Sequence, residues 1–438
     1  MVIQLELFPL ETVSKKKGRS GTFSDNMKLP VHRWFRYSAG FSAEWVEEII
    51  ETCGFDSPQI LDPFVGSGTV AIAADRLGVN GIGIEAHPFV RRIAKAKTFW
   101  SSSITEFENR AFDILKFAKN CSAIPQNYPS LIIRSFSPDV LAELNKLKLA
   151  WESYGDRSPA SELNWLAITA ILRVCSGVGT AQWQYILPNK TKKKVIPPLE
   201  AFVAQVEMMK ADMRELQEIG RQSAAKIIKS DARNCPEIPD RSIDLVITSP
   251  PYANNYDYAD ATRFELSFWG EIDGWGDLHE AVRQYLIVYS SQHASRSRLS
   301  LETLLNSPEL RPIREEIAGV CDRLSSERLL HGGKKHYHTM IAAYFFGMAK
   351  VWSELKRVCH DESKLCFVIG DSAPYGIHVP VDRWLGELAI AAGFADCEFD
   401  KWRDRNTKWK NRKHRFPLHE GILWVANHSR GLNTPNLD

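Results

Sequence analysis

A chain of 438 residues, 44% apolar and 25% charged, has material for two or three domains or for one large domain carrying insertions. It has no run of about 18 apolar residues and no leading positive charge over Met1–Leu10, so neither a membrane span nor a secretory signal is expected. Its net charge of +2 leaves any nucleic-acid surface to local clustering, and its 8 cysteines form no Cys-x-x-Cys pair, which suits free thiols in a reducing cytoplasm and not a zinc site.

Residues 1–30 read as a flexible N-terminal segment, with Lys, Gly, Ser and Asn after a short apolar start. Within it, Gln4-Leu5-Glu6-Leu7-Phe8 is similar to the peptide by which bacterial DNA enzymes dock on the replication sliding clamp; an edge strand or a staple onto the core suits the same residues. From His32 an aromatic, basic segment with Trp34, Tyr37 and Phe41 leads into a helix capped by Ser42, where Trp45, Val46, Ile49 and Ile50 recur at helical spacing. Gln59-Ile60-Leu61 is a strand. Asp62-Pro63-Phe64-Val65-Gly66-Ser67-Gly68-Thr69 follows, then a helix to Leu77. Gly66 and Gly68 allow the backbone to approach a ligand, and the helix N-terminus favours negative or polar groups. A second strand, Asn80–Ile84, ends at Glu85, where an acid can hold a ribose diol by two hydrogen bonds. By spacing alone Gly66-x-Gly68-x-x-Ala71 also fits a nicotinamide-dinucleotide fingerprint, which keeps an oxidoreductase open.

Residues 98–224 read as a mainly helical insertion, broken by prolines. Between two of its helices, Gln182 to Lys194 joins amides, aromatics and a Lys run including Lys192 and Lys193; this suits DNA contact or a solvated loop. Ala225–Ile228 is a strand ending at Ser230-Asp231. Ile243–Ile247 reads as a buried strand of a parallel sheet, and it stops at Ser249-Pro250-Pro251-Tyr252 because proline cannot continue a ladder. Open α/β sheets bind ligands at this carboxyl end. There Tyr252 can stack on a flat ring while Ser249 and the Pro250 carbonyl accept from its amine; a plain turn with a surface tyrosine is the alternative. Residues 260–335 read as a second insertion, a lid or recognition element. A helix over Tyr344–Val358, a strand over Leu365–Ile369 and a helix over Val381–Ala392 come next. Lys401–Arg415 is the strongest basic cluster and includes Lys408, Lys410 and Arg412; it reads as a phosphate-gripping loop or a solvated one. Leu418–Val425 is the final strand.

Asp62-Pro63-Phe64-x-Gly66-Ser67-Gly68-Thr69, taken with Thr248-Ser249-Pro250-Pro251-Tyr252, resembles the exocyclic-amino DNA methyltransferases, which move a methyl group from S-adenosylmethionine to N4 of cytosine or N6 of adenine. The resemblance implies an α/β fold, a Rossmann-like methyltransferase sheet that is mostly parallel with an antiparallel last strand at its edge. The sheet is split between 31–97 and 225–428 by the helical insertion 98–224, a candidate target-recognition region. It implies that S-adenosylmethionine is held by Tyr37, Phe41, Asp62, Pro63, Phe64, Gly66, Ser67, Gly68, Thr69, Glu85 and Asp231. Tyr37 and Phe41 lie in a segment that closes over the methionine part, and Asp231 bonds the adenine amine. Ser249, Pro250, Pro251 and Tyr252 are then the catalytic residues, acting on a base flipped out of double-stranded DNA. Adenine-specific members usually carry Asp where Ser249 stands and cytosine-N4 members Ser, which favours cytosine N4; adenine N6 and an RNA amine are the alternatives. Enzymes that make 5-methylcytosine attack through a Cys after Pro, and no cysteine here follows a proline. No metal is required, a cytoplasmic location is expected, and the resemblance leaves room for a companion restriction endonuclease.

Overall fold

The computed structural model describes residues 25–428, apart from 39, 123–126, 181–184, 193, 255, 298 and 406–416. The β-branched runs pair as their apolar character requires. Strands β1 (Gln59–Asp62), β2 (Asn80–Ile84), β5 (Lys226–Ile228), β6 (Ile243–Thr248), β7 (Cys359–Gly370), β8 (Asp396–Arg405) and β9 (Leu418–Ala426) form a 7-stranded sheet in the order β5-β2-β1-β6-β7-β9-β8. A separate antiparallel hairpin, β3 (Val178–Thr180) with β4 (Ile186–Thr191), stands where a loop was expected. β1 lies parallel to β2 and β6, and β6 parallel to β7. β9 alone runs antiparallel to its neighbours β7 and β8. The last strand is therefore reversed as expected, but it is not the edge. β8 covers it, and β8 contains Lys401, Arg403 and Arg405, which read from sequence as the start of a basic loop.

The chain winds outward from β1 on one side and from β6 on the other. The crevice between their carboxyl tips is thus the switch point of the sheet, where ligands bind in such folds. Alternation along the strands fills two cores. Leu245 and Ile247 face the helices Ala43–Thr52 and Thr69–Leu77, while Val246 faces the helices Tyr337–Val358 and Val381–Ala391. Ser42 caps the first of these helices, accepting from Trp45 N at 3.4 Å.

The helical insertion has its own core, built from helices Ile104–Asn120, Pro138–Glu152, Pro159–Cys175 and Pro198–Gln217. The second insertion, expected as one unit over 260–335, divides. Phe264, Leu266, Phe268 and Leu278 are buried in the helical core, whereas Ile287, Leu310, Ile317 and Leu324 pack on the sheet side. The pair Arg173–Glu265, 2.5 Å apart with Glu265 buried, fastens the first part to the helical insertion. Among the described residues no helix is long and apolar enough to cross a membrane.

Packing reaches into the segment expected to be flexible. Asn26 is buried; its amide donates to Phe41 O at 2.9 Å and its carbonyl accepts from Ala43 N at 2.8 Å. Further along, the carboxylate of Asp212, wholly buried on the helix Pro198–Gln217, accepts from Val31 N at 3.0 Å, from Trp34 Nε1 at 2.9 Å and from the Arg33 guanidinium. This one side chain ties the approach to Tyr37 onto the helical insertion. Breaking a buried pair by removing one partner costs about 3 kcal/mol. Asp212→Ala should therefore lower the unfolding midpoint and speed amide hydrogen exchange over 31–37. Unchanged exchange there would show that the segment is held by packing alone.

Candidate active site

The tips of β1, β2, β5 and β6 open into one cavity. Its wall contains Tyr37, Pro63, Phe64, Gly66, Glu85, Asp231, Ser249 and Pro251, so the glycine loop and the Ser-Pro-Pro-Tyr segment share a site although far apart in the chain. Phe41, Asp62, Ser67, Gly68, Thr69, Pro250 and Tyr252 do not line it.

Glu85 sits at the tip of β2. Its Oε2 accepts from Gly66 N at 2.9 Å and its Oε1 from His87 N at 2.8 Å. Burial pushes its carboxyl up to about 7, against the pull of these amides. An ionised carboxylate has about four acceptor positions, so acceptor capacity remains for a hydroxyl donor. Gly66 has φ +53°, and a Cβ there would lie 3.4 Å from Tyr37 Cε1, so a glycine lets the Tyr37 ring rest on the loop. Gly68 is the N-cap of the helix Thr69–Leu77 and has φ +96°, a left-handed conformation that favours glycine. Phe41 belongs to the core beside Trp45, with ring centroids 5.5 Å apart, rather than to the cavity. Asp231 faces the cavity with its carboxylate taken by Arg233; Nε lies 2.9 Å from Oδ2 and Nη2 2.5 Å from it.

Asp62 is buried, and burial pushes its carboxyl up to about 7. Its Oδ1 accepts from Phe64 N at 3.0 Å and from Thr248 Oγ1 at 2.6 Å. It therefore joins the tips of β1 and β6 and supports the cavity from below.

Ser249 lines the cavity, whereas Tyr252 is not part of its wall. The Arg405 guanidinium lies over its ring at 5.1 Å, and its phenol donates to Glu420 Oε1 at 3.4 Å. Burial and the Glu420 charge hold that phenol well above the ordinary tyrosine range, while a hydrogen bond with Ser249 pulls it down. Arg405 Nη1 also donates to Asp371 O at 2.8 Å, and the Asp371 carboxylate takes His378 Nε2 at 3.1 Å and His419 Nδ1 at 2.9 Å.

The outer wall joins Tyr258, from the aromatic, amide-rich segment after Tyr252 that reads from sequence as pocket-lining, with His87 and Tyr285–Ile287, which sequence reasoning missed. His87 is buried with Nε2 2.9 Å from Thr262 Oγ1, its Nδ1 has no hydrogen-bond partner, and burial drops its pKa to about 3. The loop after Tyr252 is held by Asp257, which pairs with buried Arg283 at 2.7 Å and accepts from Tyr289 OH at 3.1 Å. Neither pairing has a local signal, since the partners come from the second insertion. Of the expected DNA contacts, Lys192 is half-buried and its Nζ donates to Arg173 O at 2.6 Å, which makes it part of the fold. Lys193, Lys408, Lys410 and Arg412 lie outside the described residues, as do Gln4, Leu5, Leu7 and Phe8.

A DNA methylase family matches residues 5–96. Over 413 residues the chain is 26% identical to "Type II methyltransferase M.BsoBI" of Geobacillus stearothermophilus, covering 85% of this chain and 80% of that one. It is 26% identical over 406 residues to "Type II methyltransferase M.AvaI" of Nostoc sp., covering 85% and 81%. It is 23% identical over 391 residues to "Type II methyltransferase M.MvaI" of Kocuria varians, covering 84% and 83%. These similarities make S-adenosylmethionine the methyl donor. The cavity fits it: a carboxylate with free acceptor positions, an aromatic ring on a glycine loop, and an unpartnered buried imidazole nitrogen.

Hydroxyls donating to Glu85 favour its ionised form. Affinity for S-adenosylmethionine should therefore rise as pH rises through about 7, with proton release on binding. Without the donor the sign reverses. The raised pKa means a contribution to stability that is full below the ordinary carboxyl range and is lost as pH rises through about 7. Calorimetric titration at several pH values checks both. Glu85→Gln should flatten the binding profile, leaving only the share from Asp62; an identical profile would remove Glu85 from the contact.

Proposed function

We propose that the chain is an exocyclic-amino DNA methyltransferase that makes N4-methylcytosine in duplex DNA at one short recognition sequence, a reading supported by its similarity to a DNA methylase family and to type II methyltransferases. The observation that carries the choice of base is a hydroxyl, Ser249, at the rim of the cavity that also holds Glu85. A hydroxyl both accepts and donates, which suits cytosine, where N3 and O2 are acceptors beside the amine. A carboxylate at this position would accept only, and would suit adenine better.

In this reading Glu85 holds the ribose diol of S-adenosylmethionine, Tyr37 covers the methionine part, Pro63 and Phe64 wall the cavity, and Asp231 takes the adenine amine, sharing its oxygens with Arg233. When bound, S-adenosylmethionine supplies a methyl carbon activated by a positively charged sulfur. The remaining work falls to the chain. An exocyclic amine is a weak nucleophile because its lone pair is delocalised into the ring. Ser249 Oγ and the Pro250 carbonyl accept from its protons, which localises that pair and aims it. The prolines fix these acceptors, so positioning rather than acid–base strength sets the rate. Tyr252 offers the flipped base a face worth about 1–3 kcal/mol in stacking. Lys408, Lys410 and Arg412 grip phosphates, and a companion endonuclease cuts DNA that lacks the mark.

Radiolabelled methyl transfer to duplex DNA, followed by nucleoside mass spectrometry, tests the reading. N4-methylcytosine is the expected product, and N6-methyladenine would overturn the base while leaving the class intact. Ser249→Ala should keep methyl-donor affinity and lose turnover by about a hundredfold. Tyr252→Ala should do the same with a loss of roughly tenfold or more. Wild-type turnover in Tyr252→Ala would remove the stacking role.

A further inference from the structure

The helix Arg314–Leu330 ends on Leu329 and Leu330, which are 73% and 78% exposed, the barest large apolar side chains among the described residues. Removing such apolar surface from water is favourable, so this pair is an unused source of binding energy. It is also held in a fixed place. Gly332 and Gly333, at φ +76° and +69°, turn the chain back, and Gly333 N bonds Arg328 O at 3.0 Å. His331 stacks on Tyr375 with centroids 4.4 Å apart and planes 6° apart, and Tyr337 meets the same ring edge-on at 4.8 Å.

The corner lies on the catalytic side. The helix Tyr337–Val358 leads down to the start of β7, so its beginning stands at the carboxyl end of the sheet. Tyr375 follows the tip of β7 closely. From there His378 bonds Asp371, and the Asp371 carbonyl takes Arg405, which covers Tyr252. Lys334 and Lys335, both exposed, flank the leucines; the acid in the corner, Glu327, has its carboxylate 3.3 Å from His331 Nε2.

We propose that this corner enters duplex DNA beside the extruded base. Leu329 and Leu330 fill the space left in the stack, and Lys334 and Lys335 meet the flanking phosphates. Apolar wedges of this type offset part of the cost of unstacking, and the lysines supply the charge complementarity that a protein partner would not require. The assignment rests on the DNA methyltransferase reading, and it gives the second insertion a role that the helical insertion does not share.

The test uses a duplex carrying the site mapped by sequencing plasmid DNA that the wild-type chain has methylated. In single turnover, L329A/L330A should lose about tenfold or more in rate on the matched duplex, and change little on the same duplex with a mismatch at the target base, which already lowers the cost of flipping. Its melting temperature and its affinity for S-adenosylmethionine should match wild type, since both leucines are exposed. K334A/K335A should weaken binding to matched and mismatched duplexes alike and make the salt dependence shallower. Equal loss by the leucine variant on both duplexes, or loss on neither, would overturn the wedge. So would a DNA-free dimer that the leucine substitutions dissolve, since the patch would then cover a second copy. A wild-type chain that transfers no methyl group to DNA would defeat the underlying reading and the wedge with it, whereas wild-type transfer with an unaffected variant defeats the wedge alone.

Discussion

The hydrogen bond from Thr248 Oγ1 to Asp62 Oδ1, at 2.6 Å, is the contact on which the rest of the site depends. Both residues are buried at the tips of adjacent parallel strands. A buried carboxyl without partners would be costly, and burial has already pushed this one up to about 7. The same oxygen takes Phe64 N at 3.0 Å, so one atom orders the Asp-Pro-Phe turn and ties it to β6. Ser249 follows Thr248 directly. The glycine loop and the Ser-Pro-Pro-Tyr bend therefore open into one cavity because their strands are joined at this point.

Ser249 lines the cavity with Glu85, Tyr37 and the unpartnered His87 nitrogen. Ser249 also bonds Tyr252, whose ring lies under Arg405 and whose phenol donates to Glu420. The insertions complete this arrangement. Arg283 reaches from the second insertion to Asp257 in the loop after Tyr252, and its neighbours Tyr285–Ile287 close the cavity wall. Asp212 reaches from the helical insertion to the segment before Tyr37. Both walls of the site are thus held by parts of the chain outside the sheet.

The central strands were legible in the sequence because β-branched runs ended by Gly, Asp or Pro have few other homes. β1, β2, β6 and the helix after Gly68 stand within a residue or two of where they were read. β8 was not legible, because its alternation of charged and half-buried residues looks like a basic loop until β9 lies beside it. The division of the second insertion was hidden for a similar reason, since Phe264 and Ile317 are equally apolar and only tertiary packing separates their cores. Among site residues, Glu85, Gly66 and Ser249 carried local signals in their position at strand tips. Asp62 carried one too, while its bond with Thr248 had none, because that partner lies far along the chain. Arg405 read only as part of a basic loop and His87 carried no signal, since each acts through a contact distant in sequence.

The most direct measurement is a double-mutant cycle on Asp62→Ala and Thr248→Val, with the dissociation constant for S-adenosylmethionine and the single-turnover rate of methyl transfer as readouts. If one bond unites the two motifs, each substitution weakens both quantities and the double variant is scarcely worse than either single, with a coupling of about 1–3 kcal/mol. Effects that simply add, or a loss of binding from Asp62→Ala beside a loss of rate alone from Thr248→Val, would mean two independent motifs and would contradict the account.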